Sequence, residues 1–254
     1  MEQRMRSLRI YGFIQASLLW VFGFGAQLLP AQQRIGDNNQ ILWMPLTASV
    51  KVKGPVSLHL EYQWRRDAWG TAPQQSLLRA GITYGITPNL SAQAGYGLIH
   101  TYSYGDYPIA SMGTFPENRL YQQLQWQARY PKGTETIQRL RLEQRWLKPN
   151  PAAPWSYLNR LRFLTRVNQA LGDPEKSKVY LIAWDELFIG FGKHLNLNIF
   201  DQNRAFIGIG RKMNAHWNLE AGALSQILQQ PRAVNNQAVI QYNAGPWIGS
   251  TLSF

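Results

Sequence analysis

The sequence predicts an all-β fold: a closed antiparallel transmembrane β-barrel of about twelve strands, with ten as the alternative. Apolar and polar side chains alternate along most of the chain, and a strand has a side-chain period of two, so each segment has one apolar and one polar face. Ten Trp, twelve Tyr and ten Phe among 254 residues would supply aromatic belts at two membrane interfaces. A mean hydropathy of −0.31 suits a barrel with lipid outside and a polar interior.

The alternation is strongest in residues 137–146, which read IQRLRLEQRW. Leu140 and Leu142 fall on one face, whereas Arg139 and Arg141 fall on the other. A soluble sandwich would accommodate one such strand by leaving its charged face in water. Because the pattern recurs along the chain, a barrel that separates lipid from a wet interior accounts for it better.

Eleven segments show or permit this alternation, joined by connections that alternate between short and long. A closed bacterial barrel normally has an even number of strands. We therefore expect either an additional strand near residues 32–42, which gives twelve, or one segment that does not span, which gives ten. The segment at 179–191 is apolar on both faces, so its facing is ambiguous. The segments are residues 41–52, 56–65, 76–86, 90–100, 118–130, 137–146, 157–167, 179–191, 204–211, 217–228 and 237–254.

Residues 1–31 have the composition of a signal peptide. Three arginines precede an apolar run at residues 10–29, and Ala31 follows as a small residue at a plausible cleavage site. We expect a cleaved signal over residues 1–31 and a barrel over residues 32–254, with an uncleaved membrane anchor as the alternative. A secreted barrel predicts the outer membrane of a Gram-negative bacterium.

Several motifs occur together in one order along the chain. They are RLRLEQRW, YGDYP at 104–108, FPE at 115–117 with YQQL at 121–124, DELF at 185–188 and FDQNR at 200–204. The set resembles the bacterial family catalogued as domain of unknown function 2490, over roughly residues 38–245. This resemblance implies an outer-membrane β-barrel and carries no established activity. The chain departs from the family pattern at Asp185, where Asn is more usual, and in the tail after Ala244.

The chain ends in a pattern that resembles the signal read by the outer-membrane barrel-assembly machinery. Phe254 is the terminal aromatic residue, Leu252 is the apolar residue two places before it, and Gly249 lies five places before it. We therefore expect two partners, the assembly machinery through the segment ending at Phe254 and the outer-membrane lipids. The oligomeric state is open.

The predicted inward face is strongly basic. Together with Lys51 and Glu220, the lumen-lining candidates make eleven basic and four acidic side chains. A ring of Arg or Lys selects anions, which favours a narrow anion-preferring channel for small solutes with an Arg-rich lumen. The alternative is a plugged structural barrel, in which the arginines pair with carboxylates. The candidates are Glu61, Arg65, Arg79, Arg129, Arg139, Arg141, Glu143, Arg145, Arg160, Arg162, Arg166, Glu186 and Arg204.

An enzyme is a third and less favoured interpretation. The register of the hairpin at Pro88-Asn89 places Ser76 opposite His100 at one rim, which could begin a nucleophilic arrangement for lipid modification. No third catalytic group is evident, so a catalytic role is not expected.

No bound cofactor or metal is expected. The chain has no cysteine and no glycine-rich phosphate loop, and its histidines lack metal-ligand spacing. Nucleic-acid binding is not expected, because the basic residues are predicted to lie inside the barrel. Asp185 and Glu186 should face opposite ways, with one of them bonded to an interior arginine.

Overall fold

Eleven strands form one closed barrel in a computed structural model that describes residues 34–108, 114–148, 153–192 and 199–254. Two short 3-10 turns, Ala68–Gly70 and Pro131–Gly133, lie in the connections. The strands are β1 Arg34–Lys53, β2 Val56–Asp67, β3 Ala72–Thr87, β4 Leu90–Tyr102, β5 Thr114–Tyr130, β6 Thr134–Leu147, β7 Ser156–Ala170, β8 Val179–Phe191, β9 Phe200–Lys212, β10 Trp217–Val234 and β11 Gln237–Ser253.

The predicted closed all-β barrel is confirmed, with one local difference in pairing. Sequential strands pair antiparallel, whereas β1 closes the barrel against β11 in parallel. An odd number of alternating strands brings the first and last strands side by side in the same direction, which accounts for this pair. Within the described residues, the segment expected to hold an additional strand instead begins β1, which runs for 20 residues from Arg34. The barrel thus has eleven strands in the described residues, close to the predicted number of about twelve.

The parallel seam brings two backbones close together. A Cβ atom added to Gly245 of β11 would lie 1.8 Å from the carbonyl oxygen of Ile41 in β1, so the seam requires a glycine there. Two backbone hydrogen bonds continue the seam to the end of the chain: Phe254 N–H donates to Ser49 O (2.9 Å), and Lys51 N–H donates to Phe254 O (2.7 Å).

Large apolar side chains cover the outer surface of the wall. Leu140 of β6 is exposed and lies between Leu124 of β5 and Phe163 of β7 in the strand register. In β8, Leu181 points outward while Phe188 is fully buried inside. The ambiguous facing of this strand therefore has a physical cause, because its inner face packs against apolar groups within the barrel.

The connections define two ends of the barrel. The end where β1 begins carries the connections at residues 68–71, 103–113, 148–155, 192–199 and 235–236, and we call it the upper end. The lower end carries those at 54–55, 88–89, 131–133, 171–178 and 213–216, and the chain terminus. In the described ranges, no helix is long and apolar enough to cross a membrane. The predicted signal peptide, residues 1–31, lies outside the described residues.

Candidate functional site in the barrel interior

One half of the interior is apolar and aromatic. Phe206 lies flat against the wall because Gly208 and Gly222 leave room for its ring, and a Cβ at either position would come within 2.8 Å of that ring. The rings of Phe206 and Trp184 stack at a centroid separation of 5.4 Å. The residues packed together on this side are Ile41, Trp43, Ile182, Phe206 and Leu224, with Tyr180, Trp184 and Trp247 against them.

The other half holds a network of ion pairs at mid-height. Glu143 of β6 is completely buried, with 0% of its surface exposed. Its carboxylate accepts from Arg160 Nη2 (2.6 Å) and from Arg162 Nη1 (2.6 Å), both on β7. Glu186 of β8 accepts from Arg162 Nη2 (2.8 Å) and from Arg139 Nη2 (2.6 Å). Arg162 therefore joins two buried carboxylates, as the plugged-barrel alternative requires.

A second tier of pairs lies toward the upper end. Glu117 accepts from Arg119 Nη2 (2.9 Å) and Arg145 Nη2 (3.1 Å). Asp201 accepts from Arg160 Nη1 (2.7 Å). Asp201 faces inward because the β8–β9 register shifts between Phe188 and the following residue, and such a bulge re-aims a side chain.

Most predicted inward residues lie in this interior. Arg79 pairs with Glu61 (2.7 Å) and Arg166 with Glu220 (2.5 Å). Arg129 differs, because it lies at the lower end with 80% of its side chain exposed. The predicted residues that the structure buries are Glu61, Arg65, Arg79, Arg141, Glu143, Arg160, Arg162, Glu186 and Arg204, with Arg139, Arg145 and Arg166 partly buried.

Several charged side chains of the interior are absent from the predicted inward-facing set. Glu117 lies on β5 just before the predicted strand 118–130, Arg119 lies within that strand but was not counted among the inward charges, and Asp37 lies on the early part of β1. Asp201 was missed because the bulge breaks the alternation. Among the interior side chains named next there are ten arginines and seven carboxylates, and Glu135 is a further carboxylate on the wall of the lower cavity, so the basic surplus is smaller than predicted. The arginines are 65, 79, 119, 139, 141, 145, 160, 162, 166 and 204; the carboxylates are 37, 61, 117, 143, 186, 201 and 220.

Two cavities lie on either side of the mid-height network. The upper cavity has a volume of about 240 Å³, and the lower one about 1210 Å³. Among the described residues, none lines both cavities. The upper cavity is the more basic, since five arginines and two carboxylates line it: Arg65, Arg119, Arg145, Arg160 and Arg204, with Glu117 and Asp201.

Residues 103–108 reach from the β4–β5 connection toward the inner wall of the upper end. Tyr104 Oη donates to Gln241 Oε1 (3.0 Å), and Asp37 accepts from the backbone N–H of Asp106 and of Tyr107 (3.3 Å each). Burial raises the pKa of the Tyr104 phenol, which therefore stays protonated and able to donate. This contact narrows the upper mouth beside β1 and β11.

The two weak catalytic candidates, Ser76 and His100, lie side by side without a hydrogen bond between their side chains in the described structure. Ser76 and His100 are register partners, as the hairpin predicted. Their flanking partners are Trp64 and Pro116, and neither side chain has an oxygen that could accept a hydrogen bond from a histidine ring N–H. No hydrogen bond joins the two side chains in the described structure, and no group of three His, Asp or Glu in those residues could hold a metal ion.

A closed wall with an apolar outside and a charged inside defines the class of β-barrel proteins built to sit in a membrane. Within that class, a profile described as "Protein of unknown function (DUF2490)" matches residues 40–237. The chain belongs to this family, and the resemblance carried by its motifs is confirmed.

Two known proteins are similar to this chain. An uncharacterized protein of Methylorubrum extorquens is 25% identical over 190 residues, which cover 73% of this chain and 77% of that protein. A NanC porin structure aligns with 82% of this chain and 91% of its own, at 13% identity and a TM-score of 0.47.

Proposed function

We propose that this protein is an outer-membrane barrel that takes small anions into its upper cavity and passes them through a narrow basic lumen. The observation that carries the proposal is the lining of the upper cavity by five arginines against two carboxylates. In a low-dielectric wall, such an excess of one charge concentrates ions of the opposite sign.

The outer surface supports placement in a membrane. Exposed leucines, isoleucines and valines occupy outward positions around the wall, as an apolar band in lipid requires. Aromatic side chains lie toward both ends, with Tyr62 and Trp64 above and Tyr84 and Trp126 below. The longest connection, residues 103–113, is at the upper end, so we assign that end to the outside of the cell.

The buried side chains at mid-height support a passage that requires movement. Phe188 is fully buried between the two cavities, and the guanidinium carbons of Arg160 (5.0 Å), Arg162 (4.5 Å) and Arg204 (4.6 Å) lie over its ring. A solute would have to displace this ring and separate part of the ion-pair network. We therefore propose that the resting barrel is closed and opens transiently.

A structural barrel that never conducts is the second candidate. It is favoured by Glu143, whose two oxygens are both engaged by arginines in a fully buried position. Under this alternative the arginines hold the wall together and transport nothing. A flux measurement separates the two candidates.

Proteoliposomes that contain the purified barrel should release trapped chloride faster than protein-free vesicles. Phe188→Ala, which opens space in the mid-height layer, should increase the release further and keep the preference for anions over potassium. Phe163→Ala is the matched control, because it removes an equal ring from the outer face. Release equal to that of empty vesicles by both the natural protein and Phe188→Ala would support the structural barrel instead.

Two partner predictions concern assembly rather than transport. Phe254 follows β11 and its ring stacks on His216 at the lower end, with centroids 5.4 Å apart. The exposed ring is accessible for the proposed recognition by the barrel-assembly machinery. Binding of outer-membrane lipids to the apolar band is a prediction of the same kind.

A further inference from the structure

Two interior arginines differ from the others because neither forms an ion pair in the described structure. Arg65 bonds only amide oxygens, donating from Nη1 to Gln75 Oε1 (2.7 Å) and from Nε to Gln63 Oε1 (2.8 Å). Arg204 donates from Nη2 to Gln202 Oε1 (3.1 Å). Both are more than nine-tenths buried and both line the upper cavity.

The same aromatic ring brings these two cations together. The guanidinium carbon of Arg65 lies 3.8 Å from the Trp43 ring centroid, and that of Arg204 lies 4.8 Å from it. Trp43 is itself fixed, because its Nε1 donates to Gln74 Oε1 (2.6 Å). Stacking on a ring offsets part of the cost of burying a cation, but two like charges near one ring repel each other.

An unsatisfied donor points to a missing partner. Arg79, Arg139 and Arg141 each have one such buried donor away from the upper cavity, but among the described arginines that line this cavity Arg204 alone has one, its Nε, without a hydrogen-bond partner. Leaving a buried charged donor unpaired is costly, so such a group calls for an explanation, and a bound anion is one that satisfies it. The eight remaining interior arginines all have a carboxylate within ion-pair distance: Arg79, Arg119, Arg139, Arg141, Arg145, Arg160, Arg162 and Arg166.

We propose that Arg65 and Arg204, held against Trp43, bind the carboxylate of a small organic acid in the upper cavity. This inference rests on the proposal that the upper cavity takes up anions, and it names the class of anion. A guanidinium group matches a carboxylate through two parallel N–H···O bonds, which gives the site both affinity and orientation.

The rest of the cavity selects an organic acid over an inorganic ion. Its lining includes Phe115, Leu147, Leu158 and Phe200, which would pack against an apolar body attached to the carboxylate. A volume of about 240 Å³ suits a ligand with a single ring. A phosphate or sulfate ion would meet the arginines but leave the apolar wall uncovered.

Calorimetric titration of the detergent-purified protein with benzoate tests the inference. Benzoate should bind, and it should bind about tenfold or more tightly than benzyl alcohol, which lacks the charge, or inorganic phosphate, which lacks the ring. Equal heats from benzoate and benzyl alcohol, or no binding of benzoate, would overturn the proposal without any variant being made.

Variants then assign the site to its residues. Arg65→Gln and Arg204→Gln should each weaken benzoate binding by about tenfold or more. Arg129→Gln removes the same charge at the exposed lower end and should leave the affinity unchanged. A purely structural role for Arg65 predicts the reverse pattern, in which Arg65→Gln lowers the unfolding midpoint and benzoate affinity is retained.

The binding and flux results are separable. Benzoate binding without chloride release would reject the channel and leave a closed barrel that holds an organic acid. Chloride release with no benzoate binding would keep the channel and reject this site.

Discussion

Arg162 and Glu143 meet at mid-height in the barrel, with Arg162 Nη1 2.6 Å from Glu143 Oε1 and both side chains buried. The same guanidinium reaches Glu186, so one arginine neutralises parts of two carboxylates. Removing one partner of a buried ion pair leaves the charge of the other partner buried, unpaired and shielded from water. Arg162 therefore holds the two carboxylates in place, and it is a poor candidate for a residue that only sets ion selectivity.

Arg162→Gln should destabilise the folded barrel by about 3 to 5 kcal/mol, because it leaves Glu143 and Glu186 undercompensated in the interior. Urea unfolding of the protein in lipid vesicles measures this change. The matched control is Arg129→Gln, which removes an arginine that is exposed at the lower end. Equal unfolding midpoints for the two variants would show that the mid-height network contributes little to stability.

Gly245→Ala should weaken the seam between β1 and β11. The added methyl group would overlap the carbonyl oxygen of Ile41, so the strands would have to separate. Overpacking of this kind costs about 1 to 3 kcal/mol. Gly85→Ala is the control, since its Cβ would lie 3.7 Å from the nearest atom. Heat-modifiable gel migration reports both, and a Gly245→Ala barrel as heat-resistant as Gly85→Ala would contradict the parallel closure.

Leu140→Arg should reduce insertion into vesicles more than Gln144→Arg. Leu140 lies among apolar neighbours on the outer face, where an arginine in the lipid interior costs about 2 to 4 kcal/mol. Gln144 lies toward the upper end and exchanges hydrogen bonds with Gln122 (3.1 and 3.2 Å). The folding yield of Leu140→Arg should be lower than that of Gln144→Arg. Equal yields would mean that the inner and outer faces are assigned wrongly.

Asp185→Asn should stabilise the barrel by about 1 kcal/mol, because it removes an ionisable group from the lipid-facing side of β8. Asn203 Nδ2 donates to both carboxylate oxygens (3.1 and 3.0 Å), and an asparagine keeps one of these acceptors. Asp173→Asn, in the exposed 171–178 connection, is the control for a change of charge alone. A lower unfolding midpoint for Asp185→Asn would show that the charge itself is needed.

Alternation in the sequence was sufficient to predict most of the wall. The eleven segments correspond to the eleven strands, and the Ser76–His100 register agrees with the hairpin prediction. This agreement follows from the side-chain period of two, which fixes the facing of every residue in a regular strand. The parallel seam was not foreseen, because an even strand number was assumed.

The interior was harder to predict for two physical reasons. A bulge in β9 turns Asp201 inward, and no repeating pattern reveals such a local shift. Packing across the lumen also depends on glycines that are distant in sequence, since Gly208 and Gly222 together accommodate Phe206. Strand alternation predicts which residues point inward but not which of them meet. The distinction between two unpaired and eight paired arginines in the described interior therefore required the structure.

The reversal potential of single barrels in a planar bilayer shows whether the lumen passes anions. Across a tenfold gradient of potassium chloride, we predict brief openings. Their reversal potential should be shifted from zero toward the chloride equilibrium potential. Phe188→Ala should lengthen these openings while keeping that sign. A reversal potential shifted toward the potassium equilibrium potential, or no openings from either protein after verified insertion, would show that the lumen is not an anion channel.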